Sequence, residues 1–226
     1  MNVGFFQEYA PVYLEAGLLT LRIGVIGIIG AILFGLICSL IQYYKVPILR
    51  RIVGGYIEIS RNTPLLIQLF FLYFGLPKLG ILLSSEMCGI VGLIFLGGSY
   101  MSESFRSGLE SLSKTQIEAG KSIGLTEGQI LRHIILPQAM AVAFPSFSAN
   151  VIFLLKETSV FSAVALADLM YVTKELIGLY YETDEALTML VLSYLIILLP
   201  ISLFFAYLER RMRHGGFGTT SAVSGK

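Results

Sequence analysis

Residues 118–137 read EAGKSIGLTEGQILRHIILP, and the reading of this stretch decides the fold. Glu118, Lys121, Glu127 and Arg132 are charged, Gly124 sits near the centre and Pro137 closes the segment. It looks like two short water-soluble helices. Just upstream, Ser113 and Gln116 have the capping-box spacing S-x-x-Q, in which the cap hydroxyl takes the third helical amide and the third side chain returns the bond. A helix is therefore expected from about Lys114. Gly124 suits the left-handed residue that ends such a helix. Thr126 and Gln129 repeat the box and start a second helix, expected to run towards Ile135. It should stop before Pro137, because the residue ahead of a proline is pushed out of the helical region. Ile130, Leu131, Ile134 and Ile135 would form its apolar face, beside Gln129, Arg132 and His133.

The surroundings are far oilier. The chain has 226 residues, of which 55% are hydrophobic and only 14% charged, and its mean hydropathy is +0.78. Soluble domains carry about 25% charged residues, so the composition points to the membrane. A helix needs roughly 20 mostly apolar residues to cross the hydrocarbon. Five candidate spans meet that need, at 14–43, 53–76, 87–106, 138–165 and 186–208. The polar stretch lies between the third and the fourth.

The net charge of +1 excludes nothing. The distribution of charge is more useful. Lys45, Arg50 and Arg51 follow the first span; Arg106, Lys114, Lys121 and Arg132 follow the third; Arg210, Arg211 and Arg213 follow the fifth. The opposite side carries Glu8, Glu15, Glu86, Glu175, Glu182, Asp184 and Glu185, with only Lys78 and Lys174 as bases. Basic loops stay cytoplasmic, so the N terminus is expected outside and the C terminus inside. No cleavable signal peptide is expected, since a basic n-region is missing and the first apolar run is long enough to span. Cys38 and Cys88 lie in or at spans and read as small core residues, not a disulfide framework.

Within span 1, Gly27, Ala31, Gly35 and Ser39 recur every four residues and share one helix face. Small residues there let a second backbone approach closely, either from this chain or from another subunit. In span 2, Glu58 and Arg61 are spaced to pair on one face, and Pro64 should kink the helix. In span 3, Ser99, Ser102, Glu103 and Arg106 form a polar stripe that must face protein or water. Span 4 has Pro137 at its entry and Pro145 inside, and ends near Lys156, Glu157 and Asp168, which are unusual in such apolar company. Arg22, near the outer end of span 1, could snorkel to the headgroups. The connection at 170–185 is acidic and expected outside. The tail after residue 214, GGFGTTSAVSGK, is Gly/Ser/Thr-rich and expected to be flexible. No long internal repeat of the kind found in duplicated secondary transporters is evident.

The polar segment admits three readings. A DNA-binding helix–turn–helix is a poor one, because the segment is tethered between spans and its bases are balanced by Glu118 and Glu127, which suits phosphates badly. A passive loop lying on the membrane is the second. A docking element for a soluble partner is the third. Two phosphate-loop lookalikes fail. GLESLSKT at 108–115 has Ser113 where G-x-x-x-x-G-K-[ST] needs its second glycine, and AGKSIG has Thr115 where the first glycine belongs. Neither follows a strand, as such a loop requires.

The stretch resembles the EAA signature of ABC importer permeases: E-A-A, three residues, G, nine residues, then I-x-L-P. Glu118, Ala119, Gly124, Ile134, Leu136 and Pro137 match at the family spacing, and Gly120 replaces the second alanine, at a helix-propensity cost of about 1 kcal/mol. RNTPLLIQLFFLYFGLP (61–77), SYMSESFRSGLESLSKTQIEAGKSIGL (99–125), LPQA (136–139), LLKETSVFSAV (154–164) and LERR (208–211) are similar to polar amino acid permeases of the histidine/glutamine/arginine type. The likeness covers residues 14–213. Asn62 stands where that family usually has glycine, and Ser102 where it usually has alanine.

The resemblance implies an all-α membrane protein with five transmembrane helices, the type I ABC importer permease (MetI-like) fold. Residues 1–213 would form one permease domain, with its coupling segment at 112–137 and the tail at 214–226. Glu118, Ala119, Gly124, Leu125 and Thr126 would dock in a groove on a separate ATP-binding subunit. ATP and Mg would bind there, leaving this chain non-catalytic and without cofactor or metal. The other implied partners are a second permease subunit, identical or paralogous, an extracytoplasmic amino acid-binding protein, and lipid of the bacterial inner membrane; no nucleic acid is implied. A translocated polar amino acid needs partners for its carboxylate and ammonium, since an unpaired charge in the membrane is costly. The candidates are Ser102, Glu103 and Arg106 on span 3 and Glu157, Ser159 and Asp168 around the end of span 4. Arg106 would hold the carboxylate bidentately, and Glu157 or Asp168 the amine or a cationic side chain. The competing reading is that these charges satisfy one another, as in a Glu103–Arg106 pair. The alternative functions are a permease for a different small solute and an ion-coupled secondary transporter or channel.

Overall fold

An apolar run can cross a bilayer alone only if its backbone groups are satisfied within the segment, which favours the helix. The computed structural model describes residues 3–212, and their long apolar runs are helical. Helix α1 (Val3–Tyr43) has 41 residues and continues through Pro11. It is about 60 Å long, roughly twice the hydrocarbon thickness. It therefore starts well before the expected span at 14–43. After a short turn come α2 (Leu49–Arg61) and α3 (Leu65–Phe70). Helix α4 (Ser85–Glu110) precedes the polar pair α5 (Lys114–Ser122) and α6 (Glu127–Ile130). Helices α7 (Leu136–Glu157), α8 (Leu169–Tyr180) and α9 (Thr183–Met212) complete the described chain. Four stretches are long and apolar enough to cross a membrane: 4–43, 85–110, 127–164 and 183–212; a fifth, shorter apolar stretch covers 65–79. The expected tail at 214–226 and Arg213 lie outside the described residues.

The small-residue stripe on α1 is an intrachain surface. Gly27, Ala31, Gly35 and Ser39 are all buried, the first three against α4. A Cβ added at Gly35 would sit 2.6 Å from Met101 Cβ, 2.8 Å from the Gly98 carbonyl oxygen and 2.9 Å from the Ser102 amide nitrogen. A Cβ at Gly27 would meet Leu93, and one at Gly97 would meet Ala31 and Leu154. The α1–α4 crossing is thus as close as two backbones allow, and it anchors the core of Ile23, Leu65, Leu69, Leu93, Met101, Leu154 and Phe161. Cys38 and Cys88 are buried and free. A second cluster joins Phe5, Tyr13 and Ala16 of α1 to α8 and α9. There the Tyr13 hydroxyl donates to the Ala186 carbonyl at 2.9 Å.

Two expectations need correction. Span 2 is not one kinked helix over 53–76. It breaks completely at Asn62–Pro64, where Pro64 takes φ −59°, ψ 144° and caps α3. The buried Gln68 side chain bridges the gap, its amide donating to the Ser60 and Thr63 carbonyls at 3.1 and 3.0 Å. Second, the helix begun at Glu127 does not stop before Pro137. It passes through a π-turn, Leu131–Ile135, directly into α7. The Leu136 amide bonds to the Leu131 carbonyl, five residues back. That wider turn lets a helix absorb a proline as a bend. The same device precedes Pro77, where a π-turn at Phe71–Gly75 closes with the Leu76 amide on the Phe71 carbonyl. The acidic connection at 170–185 contains α8.

The outer faces of α1 and α9 are bare of protein. Leu14, Leu18, Ile29, Leu33 and Ile37, and Leu195, Ile196, Leu203 and Phe204, are exposed. Only 6% of the apolar window in α9 is buried. Apolar surface on this scale requires lipid or another subunit.

Candidate functional site

Two features stand out, at the same end of the bundle. The first is the α5–α6 pair, which follows α4 after a short turn. The Ser113 hydroxyl caps α5 by accepting from the Gln116 amide at 3.4 Å. The return bond expected from a full capping box is missing here, so Ser113 acts as a simple cap. Thr126 and Gln129 do make the complete reciprocal box. Gly124 adopts φ +83°, the left-handed turn that L side chains avoid. Glu118, Ala119, Gly124 and Thr126 are exposed, and Leu125 is half-buried. The pair is held to itself by Gly120, which is buried against Ile130 and Ile134. Lys121, of the false phosphate motif, forms an ion pair with Glu127 at 3.5 Å.

The second feature is a polar cleft of about 280 Å³ between the ends of α1, α2 and α4. Gln42, Arg50, Glu58, Arg61, Glu103, Arg106 and Glu110 line it, with Gly54 and Ile57. Helix periodicity puts Glu103, Arg106 and Glu110 on one face of α4. Arg106 grips Glu103 bidentately, through Nε at 3.1 Å and Nη2 at 2.7 Å, and reaches Glu110 Oε2 with Nη1 at 2.6 Å. The expected Glu58–Arg61 pair is replaced. Arg61 approaches Glu103 at 3.7 Å and lies over the Tyr100 ring at 5.3 Å. Glu58 instead accepts weakly from Asn62 Nδ2 at 3.4 Å. The break at Pro64 makes this possible, because it frees the end of α2 to lie along α4. There the Ser60 hydroxyl bonds to the Phe95 carbonyl at 2.8 Å and sits 3.1 Å from Ser99 Oγ.

The six candidate substrate residues do not converge on one point. Glu103 and Arg106 sit in the cleft, paired to each other. Ser102 is buried on the side of α4 facing α1, and its hydroxyl has no partner among the described residues. Glu157 ends α7, and Ser159 follows on the 3₁₀ turn Thr158–Val164; both are half-buried. The register between α4 and α7 fixes their level. Asn150 Nδ2 bonds to Ser104 Oγ at 2.8 Å, and Leu154 packs on Gly97. Glu157 therefore stands about twelve residues of helix, or roughly 18 Å, from the level of Arg106. The carboxylate and amine of one amino acid are only about 3–4 Å apart, given standard bond lengths. The scheme in which Arg106 takes one and Glu157 the other is not available in this conformation.

Asp168 is fully buried and caps α8, its Oδ1 accepting from the Tyr171 amide at 2.8 Å. Burial pushes its carboxyl up to about 7, against the cap bond and nearby Lys174, which pull it down. Arg22 does not simply snorkel, because it pairs with Glu86 at 2.6 Å and ties α1 to the start of α4. Sequence reasoning missed Gln68 and Asn150, whose only signal was an amide in an apolar helix, and missed that Arg50 and Glu58 share a cleft with Arg106. Among the described residues, no group of three or more His, Cys, Asp and Glu is placed to hold a metal.

Comparison with known proteins agrees with this architecture. Residues 31–214 match the family described as binding-protein-dependent transport system inner membrane component. The chain is similar to the probable glutamine ABC transporter permease protein GlnM of Bacillus subtilis (strain 168), at 32% identity over 94% of this chain and 98% of that one. It is also similar to the glutamine transport system permease protein GlnP of Escherichia coli (strain K12), at 30% identity over 90% and 94%. Among solved structures, an amino acid ABC transporter crystallised with histidines superposes with a TM-score of 0.85 at 26% identity, covering 93% of this chain and 99% of that one. The MetNI methionine ABC transporter, in an inward-facing form, shares the fold with a TM-score of 0.74 at 19% identity, covering 91% and 98%. With the family matched over most of its length and the fold matched almost end to end, this chain belongs to the inner membrane components of binding-protein-dependent transport systems.

Proposed function

We propose that this chain is the membrane-spanning, non-catalytic subunit of an ATP-driven importer for polar amino acids. The observation that carries the reading is the α5–α6 pair. It is capped, polar and exposed, yet it is joined to α7 through a π-turn and not through a slack loop. A displacement of the pair is therefore passed into a membrane helix. A separate ATP-binding subunit, with its nucleotide and Mg, docks on Glu118, Ala119, Gly124, Leu125 and Thr126. The relatives named for glutamine, and the neighbour crystallised with histidines, support a polar amino acid as cargo. Two permease subunits, identical or paralogous, face each other, and an extracytoplasmic binding protein delivers the substrate. Lys and Arg at the α1–α2 turn, on α5 and at the end of α9 support an N terminus outside and a C terminus in the cytoplasm.

In this scheme ATP acts by binding one conformation better than the other. Closure of the ATP-binding dimer carries α5–α6 with it and tilts α7 against α4. Glu157 and Ser159, at the far end of α7, meet the amine or a cationic side chain of the substrate. Glu103 and Arg106 line the cytoplasmic mouth. Ser102 packs α4 on α1, and Asp168 holds the start of α8.

The test is Glu118→Lys in the reconstituted transporter. Membrane insertion and assembly of permease subunits should persist while ATP-driven uptake is lost. Normal uptake with normal stimulated ATPase would overturn the docking role. Separately, Glu157→Gln should change substrate-stimulated ATPase across a panel of amino acids, and an unchanged panel would remove Glu157 from the path.

A further inference from the structure

The charges of the polar cleft do not all cancel locally. Arg106 is consumed by Glu103 and Glu110, and Arg61 by Glu103 and the Tyr100 ring. Two groups are left over. Among the described residues, the Arg50 guanidinium makes no ion pair or hydrogen bond. Glu58 has one carboxylate oxygen without a partner and the other in a 3.4 Å contact with Asn62. One uncommitted cation and one uncommitted anion thus face a single neutral cleft. They lie eight residues apart on α2, about 12 Å along its axis, which leaves room for a small molecule between the two long side chains. The cleft's 280 Å³ equals the space of about nine waters at ~30 Å³ each.

The turn that presents Arg50 is also strained. Lys45 and Ile48 both have positive φ, at 53° and 65°. For a β-branched residue such as Ile48 this is a genuine outlier. Stored strain of this kind gathers at ligand clamps and switches. The Gln42 side chain, at the end of α1, holds the same turn by donating to the Arg50 carbonyl at 3.1 Å.

We propose that the α1–α2–α4 cleft is a cytoplasm-facing binding site for a free zwitterionic amino acid, whose carboxylate goes to Arg50 and whose ammonium goes to Glu58. The proposal rests on the importer reading above for its orientation and for its ligand class. Its consequence is regulatory. Glu110, on the cleft wall, is four residues from Lys114, the first residue of α5. A ligand held on α2 by Arg50 and Glu58 fills the cleft against this wall, and its bulk restrains the lead into the α5–α6 pair. Accumulated product then slows the transporter from inside, without competing for the path near Glu157.

The experiment uses the complete transporter in liposomes, with the cytoplasmic face outward and the binding protein with substrate enclosed. L-glutamine, L-histidine and L-arginine are added in turn to the cytoplasmic face at millimolar concentration. At least one should inhibit ATP-driven transport by the wild type. Arg50→Ala and Glu58→Gln should each raise the half-inhibitory concentration at least ten-fold and keep the uninhibited rate, while Glu157→Gln leaves that concentration unchanged. Inhibition that is absent, that is equal in all variants, or that follows anionic lipid content in place of amino acid overturns the proposal. Failure of ATP-driven transport in the wild type would instead overturn the importer reading on which it rests.

Discussion

Gly35→Ala tests the packing that holds the bundle together. A methyl at residue 35 would fall 2.6 Å from Met101 Cβ, 2.8 Å from the Gly98 carbonyl oxygen and 2.9 Å from the Ser102 nitrogen. Carbon atoms prefer separations of about 3.5–4.0 Å. None of the three obstacles is the free end of a side chain, so the helices themselves must part by about 1 Å near this crossing. A gap of that size forfeits a quarter to a half of each dispersion contact it opens. Overpacking of this kind costs about 1–3 kcal/mol, against roughly 0.5–1 kcal/mol regained from helix propensity. The net expectation is a loss of about 1–2 kcal/mol, or a melting temperature lower by roughly 2–8 °C for a chain of this size. Gly55→Ala is the matched control. Gly55 lies inside α2 with nothing within 4 Å of the added Cβ. It should gain about 0.5–1 kcal/mol. The assay is thermal unfolding of the purified protein in detergent, followed with a thiol-reactive dye. Cys38 and Cys88 are 2% and 0% exposed, so labelling reports unfolding, and the chain has no tryptophan to use instead. If Gly35→Ala melts at or above the wild type, the close α1–α4 crossing is refuted.

Three further outcomes are expected. Asp168 has a carboxyl raised from 3.8 to about 7, so the native state binds its proton more tightly than the unfolded chain; its contribution is complete below about pH 4 and is lost as pH rises through about 7. Relative to wild type, Asp168→Asn should therefore flatten the fall in melting temperature between those values, and an identical pH profile would contradict the buried placement. Gly120→Ala restores alanine to the signature and should be neutral to mildly stabilising, because the added Cβ meets Ile134 at 2.9 Å through the mobile end of its side chain; a loss above about 1 kcal/mol, the scale of the propensity gain, would show that α5 and α6 cannot adjust. Gln68→Leu removes the side-chain donor from the Ser60 and Thr63 carbonyls at the α2–α3 break; the Ser60 carbonyl keeps the Thr63 amide at 3.4 Å, so the half-buried Thr63 carbonyl is the one orphaned, and the change should cost about 1–3 kcal/mol, read by the same dye assay; an unchanged midpoint would mean that water serves that carbonyl.

The polar α5–α6 segment was legible because its grammar is local. A cap at Ser113, a full capping box at Thr126 and a left-handed Gly124 act over a few residues, and the polarity of 113–129 contrasts with its neighbours. The continuity of α6 with α7 was not legible. A proline after an apolar run normally ends a helix, and only the π-turn at Leu131–Ile135 shows how this one is absorbed. Span 2 misled for the opposite reason. Its hydropathy is continuous from 53 to 76, yet the chain breaks at Pro64, because Gln68 can satisfy the carbonyls the break exposes.

By itself, then, the amino-acid sequence determined the helical class, the membrane setting, the order of spans and the position of the α5–α6 pair. All of these follow from hydropathy, charge and capping along a single stretch of chain. Only the tertiary structure decided which charges meet. Arg61 and Glu58 are ideally spaced on α2, but Arg61 turns to Glu103 on α4, and Arg50 and Glu58 are left facing the same cleft. Arg106 and Glu157, plausible partners on paper, end on levels about 18 Å apart. The reason is physical. Pairing between helices depends on register and crossing distance, and these are set by where Gly35, Gly97 and Gly98 let backbones touch.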